Sequence, residues 1–394
     1  MTESARSQHW LALDGLRGAA CLMVLVYHFV PFAPTHSRLT HLVLLVAHST
    51  WVGVDLFFVL SGFLITNILV AARGSTGMLQ NFYARRVLRI FPLYYAVLIA
   101  RFVVVPRFAP PYVLESMRDT FDHQGWLWAY AYNLRILLTG KFWGDDWIPV
   151  SHLWSLAVEE HFYLVWPLLV AWFDRSALRR IAIAAIALAP LMRTACVMFH
   201  VSPAIVFSFT PFRMDSLLLG ALLALTYEDA RYAAVFERFA PALLATGVAL
   251  FVLLALSAGR PSALSAPMSA VGFTAIGLAS VALVVLAIQS GPSRLKRVLE
   301  TKALRWVGRY SYGAYILHEL FQPAIARWIS IERIHRFVPS ELLSIATQTA
   351  LAIAWSLALA VVSFRLLEAP FLRLKRFFEY GRPPRNPATA SHLP

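Results

Sequence analysis

The sequence predicts an all-α fold, a polytopic membrane bundle of about ten transmembrane helices with both termini cytoplasmic. Three observations predict it. Of 394 residues, 59% are hydrophobic and only 14% charged, at a mean hydropathy of +0.63. A soluble domain carries about 25% charged residues, so the solvent for most of this chain is lipid. Apolar segments near the roughly 20 residues needed to cross a bilayer recur along the chain. The basic residues behind the net charge of +14 fall mostly between those segments, where they orient a membrane protein and give no reason to invoke nucleic acid.

In order, the expected spans lie near Leu11–Val30, Trp51–Ala72, Ile90–Val105, His152–Phe173 and Ile181–Phe199, then Phe212–Tyr227, Phe239–Ser257, Met268–Gln289, Trp306–Ile329 and Leu342–Leu366. The first is interrupted by Asp14 and Arg17 and lacks a small-residue cleavage site, so it reads as a retained helix. Trp126–Leu138 is short and carries Asn133 and Arg135, which favours an interfacial or re-entrant helix over an eleventh span. With the N-terminus inside, the inner loops collect Arg73, Arg85, Arg86, Arg89, Arg175, Arg179, Arg180 and the cluster Arg294–Arg305. In the long loop before the fourth span, basic residues are balanced by acids including Asp145 and Asp146. Residues 1–10 then form a cytoplasmic tail, 11–370 the membrane domain, and 371–394 a basic, Pro-rich cytoplasmic tail that includes Arg382 and Arg385. Cys21 and Cys196, both inside apolar stretches, exclude a disulfide framework and a thiolate metal cluster, and no metal is expected.

Ionisable groups inside spans are expensive, so they mark function. In the first span Arg17 and His28 are eleven residues apart. That spacing returns to the same helix face roughly 16 Å further along. Asp14, one turn before Arg17, can pair with it. In the second span Asp55 sits near the outer end facing water, and Ser61-Gly62 permits close helix packing. Arg85 and Arg89 are one helical turn apart and, with Arg86, suit a polyphosphate; the plainer alternative is an orientation signal that holds lipid headgroups. His152, Ser155, Glu159 and Tyr163 step by three or four residues and form one stripe on the fourth span. Arg213 and Asp215 suit a salt bridge, and Tyr312, His318 and Glu319 in the ninth span read as helix–helix contacts.

Together these segments resemble the acyltransferase-3 family of integral membrane acyltransferases, which includes O-antigen and exopolysaccharide O-acetylases. The matching pieces are Leu13-Asp14-Gly15-Leu16-Arg17-Gly18 with His28, the segment from Val54 to Leu64, Arg85-Arg86-Val87-Leu88-Arg89-Ile90-Phe91-Pro92, and the segment from His152 to Tyr163. The segments from Phe212 to Gly220 and from Ser311 to His318, and Glu368-Ala369-Pro370, match as well. They occur in the family's order over nearly the whole chain; His161 stands where the family usually has Gln.

The resemblance implies transfer of an acyl group, most often acetyl, from cytoplasmic acyl-CoA to a hydroxyl of a lipid-linked sugar or polysaccharide at the outer face, in a cytoplasmic (inner) membrane. Acyl-CoA is then a co-substrate, its phosphates on Arg85, Arg86 and Arg89. His28, whose ordinary pKa of about 6.5 suits proton transfer at neutral pH, is the expected catalytic base or a transient acyl carrier. Glu159 is expected to orient or charge-stabilise an imidazolium, and Arg17 with Asp14 to position the donor. Ser155, Tyr163 and His152 are the expected acceptor or oxyanion contacts. The rival class is a secondary transporter, which also has ten or so spans and buried charges, but broken-helix pairs in corresponding halves are not evident. A non-catalytic assembly partner for glycan export is the third class.

Overall fold

A computed structural model describes residues 10–32, 37–144 and 147–380. The N-terminal residues 1–9, Asp145, Asp146 and the Pro-rich stretch 381–394, with Arg382 and Arg385, lie outside the described residues. Among the described residues all regular structure is helical. Ten helices have 16 residues or more: α1 (Leu11–Phe29), α2 (Gly53–Ala71), α3 (Met78–Ile99), α4 (Trp154–Trp172), α5 (Arg175–Met198), α6 (Thr210–Thr226), α7 (Ala230–Ser257), α8 (Phe273–Ile288), α9 (Lys302–Leu317) and α10 (Glu341–Ser363).

Each expected span overlaps one of these helices. Eight segments are long and apolar enough to cross a membrane, which makes this a multi-pass membrane protein. The two helices that fall short are α4, interrupted by Glu159-Glu160-His161, and α9, at 16 residues. Both are enclosed by neighbours over much of their length, where polar side chains find partners.

Several boundaries differ from expectation for local reasons. α3 begins at Met78, not Ile90, because Gly77 at φ 72° supplies a left-handed start and nothing from 78 to 91 breaks a helix. Arg85, Arg86 and Arg89 therefore lie within the helix and not in a loop before it. α5 and α7 also begin early, each capped by an aspartate: Asp174 accepts from the Ala177 N–H and Asp229 from the Arg231 N–H. The ninth span does not run to Ile329. α9 ends at Leu317, the chain turns through 318–321, and a short helix, Gln322–Trp328, follows with Pro323 in its first turn. His318 holds that turn through a 2.6 Å hydrogen bond from Nδ1 to the Tyr315 carbonyl. The segment 126–138 is no span: Gly125–Trp128 and Tyr132–Thr139 are separate short helices, broken at Tyr130 with φ 52°.

The basic segment after residue 370 is not a free tail up to Tyr380. It continues as helical turns through Phe377 and lies against α3, where Arg85 Nη1 donates to the Lys375 and Phe378 carbonyls, both at 3.2 Å.

Two glycine crossings set the core. A Cβ on Gly308 would lie 1.9 Å from the Asp14 carbonyl oxygen and one on Gly18 2.1 Å from that of Leu304, so α1 and α9 meet backbone to backbone. Gly62 and Gly220 do the same for α2 and α6, with distances of 1.8 and 2.0 Å to the Leu217 and Val59 oxygens.

A buried ionic layer lies across α2, α5, α6 and α8. Arg213 and Asp215 do not pair with each other; two residues apart on a helix, they point to different neighbours. Arg213 binds Asp55 at 2.7 Å and Arg193 binds Asp215 at 2.9 Å, with all four side chains essentially inaccessible. Ser216 and Thr274 add hydroxyl donors to the two carboxylates, and the Arg213 guanidinium lies 3.8 Å from the centre of the Phe273 ring. Asp55 thus does not face water, and its charge is matched inside the bundle.

Candidate active site

The first cluster of ionisable groups forms where the last turn of α1, the turn Ser151–Leu153 before α4, and the break after α9 converge. Glu319, at that break, is the hub. Its Oε1 lies 3.0 Å from His28 Nε2 and its Oε2 lies 2.7 Å from His152 Nδ1. Oε2 also accepts from the Ser151 hydroxyl at 3.0 Å and the His152 backbone N–H at 3.2 Å. The remaining nitrogens of the two rings face backbone carbonyls: His28 Nδ1 that of Val24 at 2.9 Å, and His152 Nε2 that of Ile316 at 3.2 Å. His318 stands against both rings, its centroid 4.6 Å from that of His28 and 4.9 Å from that of His152. The side chains of His152, His318 and Glu319 are buried, while His28 keeps 20% of its side chain accessible. It opens onto a cavity of about 640 Å³ whose wall includes Tyr27, Trp51, Trp143, Trp154 and Phe207.

A second, smaller cavity of about 110 Å³ is lined by Arg17, Arg86, Arg89, Ser61, Glu159 and Tyr163. Arg17 pairs with Asp14 at 3.4 Å, as their one-turn spacing implied. Glu159 Oε1 accepts from Ser61 Oγ at 2.7 Å, and the Tyr163 hydroxyl donates to the same Oγ at 3.1 Å. Arg86 sits over the Tyr163 ring at 5.4 Å.

Val54 and Tyr315 line both cavities. The Tyr315 hydroxyl is hydrogen-bonded to Ser155 Oγ and, at 3.2 Å, donates to the His152 carbonyl. The partition between the cavities is therefore a tyrosine–serine contact between α9 and α4.

The stripe, which starts in the turn before α4 and continues along that helix, spans this arrangement, with His152 in the first cavity, Ser155 at the partition, and Glu159 and Tyr163 in the second. Glu159 does not meet His28; it lies seven residues beyond His152, about two helical turns, and so lines the other cavity. The carboxylate on His28 is that of Glu319, which the sequence pattern placed among packing contacts. Tyr163 likewise lies away from His28. Arg85 faces the C-terminal segment, whereas Arg86 and Arg89 line the cavity. Ser61, read as a packing residue, is the hydroxyl that holds Glu159. His161, where the family usually has Gln, hydrogen-bonds Thr210 at 2.8 Å and ties α4 to α6.

The acyltransferase domain family matches residues 10–365. The peptidoglycan O-acetyltransferase OatA of Listeria monocytogenes is 29% identical over 391 residues, which cover 94% of this chain and 56% of that protein. The putative peptidoglycan O-acetyltransferase YrhL of Bacillus subtilis is 28% identical over 94% of this chain and 56% of its own length. The O-acetyltransferase OatA of Staphylococcus aureus is 26% identical over 78% of this chain and 49% of its length. The chain thus spans about half the length of the curated relatives it matches. No solved structure matches it.

Proposed function

The chain belongs to the acyltransferase domain family, and from that premise we propose that it moves an acetyl group from cytoplasmic acetyl-CoA to a hydroxyl of a cell-surface polysaccharide. Peptidoglycan is the acceptor favoured by the names of its relatives. The single observation that carries this reading is the pair of cavities that meet at Tyr315, one holding the His28–Glu319 pair and the other lined by three arginines. Guanidinium groups suit the CoA phosphates. The bias of basic residues among the loops supports an arginine end at the cytoplasmic face of the inner membrane, with both termini on that side. The larger cavity, with its aromatic walls, suits a sugar ring from the other side.

The chemistry follows from the hydrogen bonds. The Val24 carbonyl can only accept, so His28 Nδ1 carries hydrogen and Nε2 is the basic atom. The acceptor hydroxyl gives its proton to Nε2 as its oxygen attacks the thioester carbonyl. Glu319, 3.0 Å away, stabilises the imidazolium formed. Collapse of the tetrahedral intermediate breaks the C–S bond, and the proton passes from His28 to the departing CoA thiolate. Movement of the Tyr315 hydroxyl away from Ser155 joins the two cavities and lets the thioester reach His28. Ser155 is then released to donate to the oxyanion.

His28→Gln tests the assignment, because it keeps a hydrogen-bonding side chain but carries no proton. In proteoliposomes supplied with acetyl-CoA and a glycan acceptor, turnover should fall on the order of 10²–10⁴-fold. Near-normal turnover by correctly inserted His28→Gln protein would falsify the assignment.

A further inference from the structure

The hydrogen bonds around Glu319 leave two imidazole nitrogens without a hydrogen-bond donor to meet them. His28 Nδ1 donates to the Val24 carbonyl and His318 Nδ1 to the Tyr315 carbonyl. In each neutral ring Nε2 is then a bare lone pair. That of His28 points at an oxygen that also only accepts, Glu319 Oε1, at 3.0 Å. That of His318 is buried with no hydrogen-bond partner among the described residues. Both nitrogens of His152 also face oxygen acceptors. Three imidazoles gather on one carboxylate, and the space between them calls for a cation.

We propose that His28 Nε2, His318 Nε2 and the Glu319 carboxylate form a binding site for a divalent cation of the Zn²⁺ class. The donor set, two imidazoles and one carboxylate, is the kind that such borderline cations take. Both rings are fixed by a second-shell carbonyl on Nδ1, the arrangement that aims Nε2 at a metal. His152 and Ser151 hold the other carboxylate oxygen and so orient Glu319. One donor atom from each of these three residues lies within 4.8 Å of the other two. Tetrahedral ligands about 2.0 Å from zinc stand about 3.3 Å apart. His28 and Glu319 already meet that spacing, and a ring shift of at most about 1.5 Å brings in His318. The fourth position faces the large cavity, onto which His28 and Glu319 open, and that cavity provides the entry path.

A cation here occupies the lone pair that proton transfer requires, so metal occupancy and the base role of His28 exclude each other. This inhibitory consequence rests on the reading above, whereas binding itself does not.

Co²⁺ is the probe, added to chelator-stripped full-length protein purified without a histidine tag. The expected result is visible d–d absorption saturating at one ion per chain, with a rise in thermal midpoint. His318→Ala should weaken Co²⁺ binding more than about 100-fold, beyond the 10–100-fold typical of an outer-shell change. His152→Ala should fall within that smaller range, and the exposed His200→Ala should change nothing. Glu319→Gln repeats the ligand test if His318→Ala does not fold. The absence of a band in the wild-type protein overturns the proposal, as does a band unaltered in the folded ligand variant. Acetyl transfer by the metal-free wild type is measured separately, so a failure of the metal site leaves the acyltransferase reading standing, and the reverse.

Discussion

The bundle holds two clusters of buried ionisable groups, and they are built on opposite terms. In the layer of Asp55, Arg213, Arg193 and Asp215, two guanidiniums meet two carboxylates. Around Glu319 three imidazoles meet one carboxylate, and His28 remains open to a cavity. The first cluster matches its charges and sits out of reach of a small molecule, as suits groups whose work is to join helices. The second is unmatched, and His28 opens it to a cavity. Balance and access, more than the number of charges in the membrane, separate scaffold from chemistry here.

The largest effect should come from breaking the balanced cluster. Arg213→Met leaves the Asp55 carboxylate buried without its partner and should cost about 3–5 kcal/mol. The expected readout is loss of folded protein in detergent by thermal melting. Joint replacement with Asp55→Leu should recover most of that loss, since removing both charges also removes the burial penalty. A stable single variant would show that the layer is not a structural pair.

Glu319→Gln should do the reverse. The protein should insert and melt nearly as before, while turnover falls about 10²-fold through loss of the charge facing the imidazolium. A collapse of folding without a specific loss of turnover would move Glu319 into the scaffold class.

Smaller effects are expected among the arginines. Arg89→Ala should raise the half-saturating acetyl-CoA concentration about tenfold, the equivalent of 1.4 kcal/mol, with little change in the acceptor's. Arg85→Ala should alter donor affinity less than about threefold, because Arg85 holds the Lys375 and Phe378 carbonyls. Equal responses from the two variants would erase the distinction drawn between them.

Much of this was readable from residue spacing. Eight of the long helices follow from apolar length, the Asp14–Arg17 pair from one-turn spacing, and the exceptional polarity of α4 from its own residues. Helical periodicity fails where a contact joins distant segments. Glu319 is 291 positions from His28 and lies just beyond the end of α9, so no repeat of three or four residues relates them. The cost of a carboxylate in a membrane, the reason Glu159 drew notice, applies equally to Glu319 and was the signal available. Arg193 was hidden for a similar reason: its partner Asp215 belongs to another helix.

The crossing of Gly18 with Gly308 has a consequence for the site it does not touch. His28 lies ten residues beyond one glycine and Glu319 eleven beyond the other. At about 1.5 Å per residue the backbone contact is a fulcrum, with His28 at the end of an arm of about 15 Å. A tilt of about 4° there would shift the imidazole by about 1 Å relative to its carboxylate, enough in an active site to lose about 10²-fold in rate. The absent side chains at this fulcrum therefore act as a tolerance on the alignment of His28 with Glu319. A methyl group at Gly308 would be felt most at the far end of the lever.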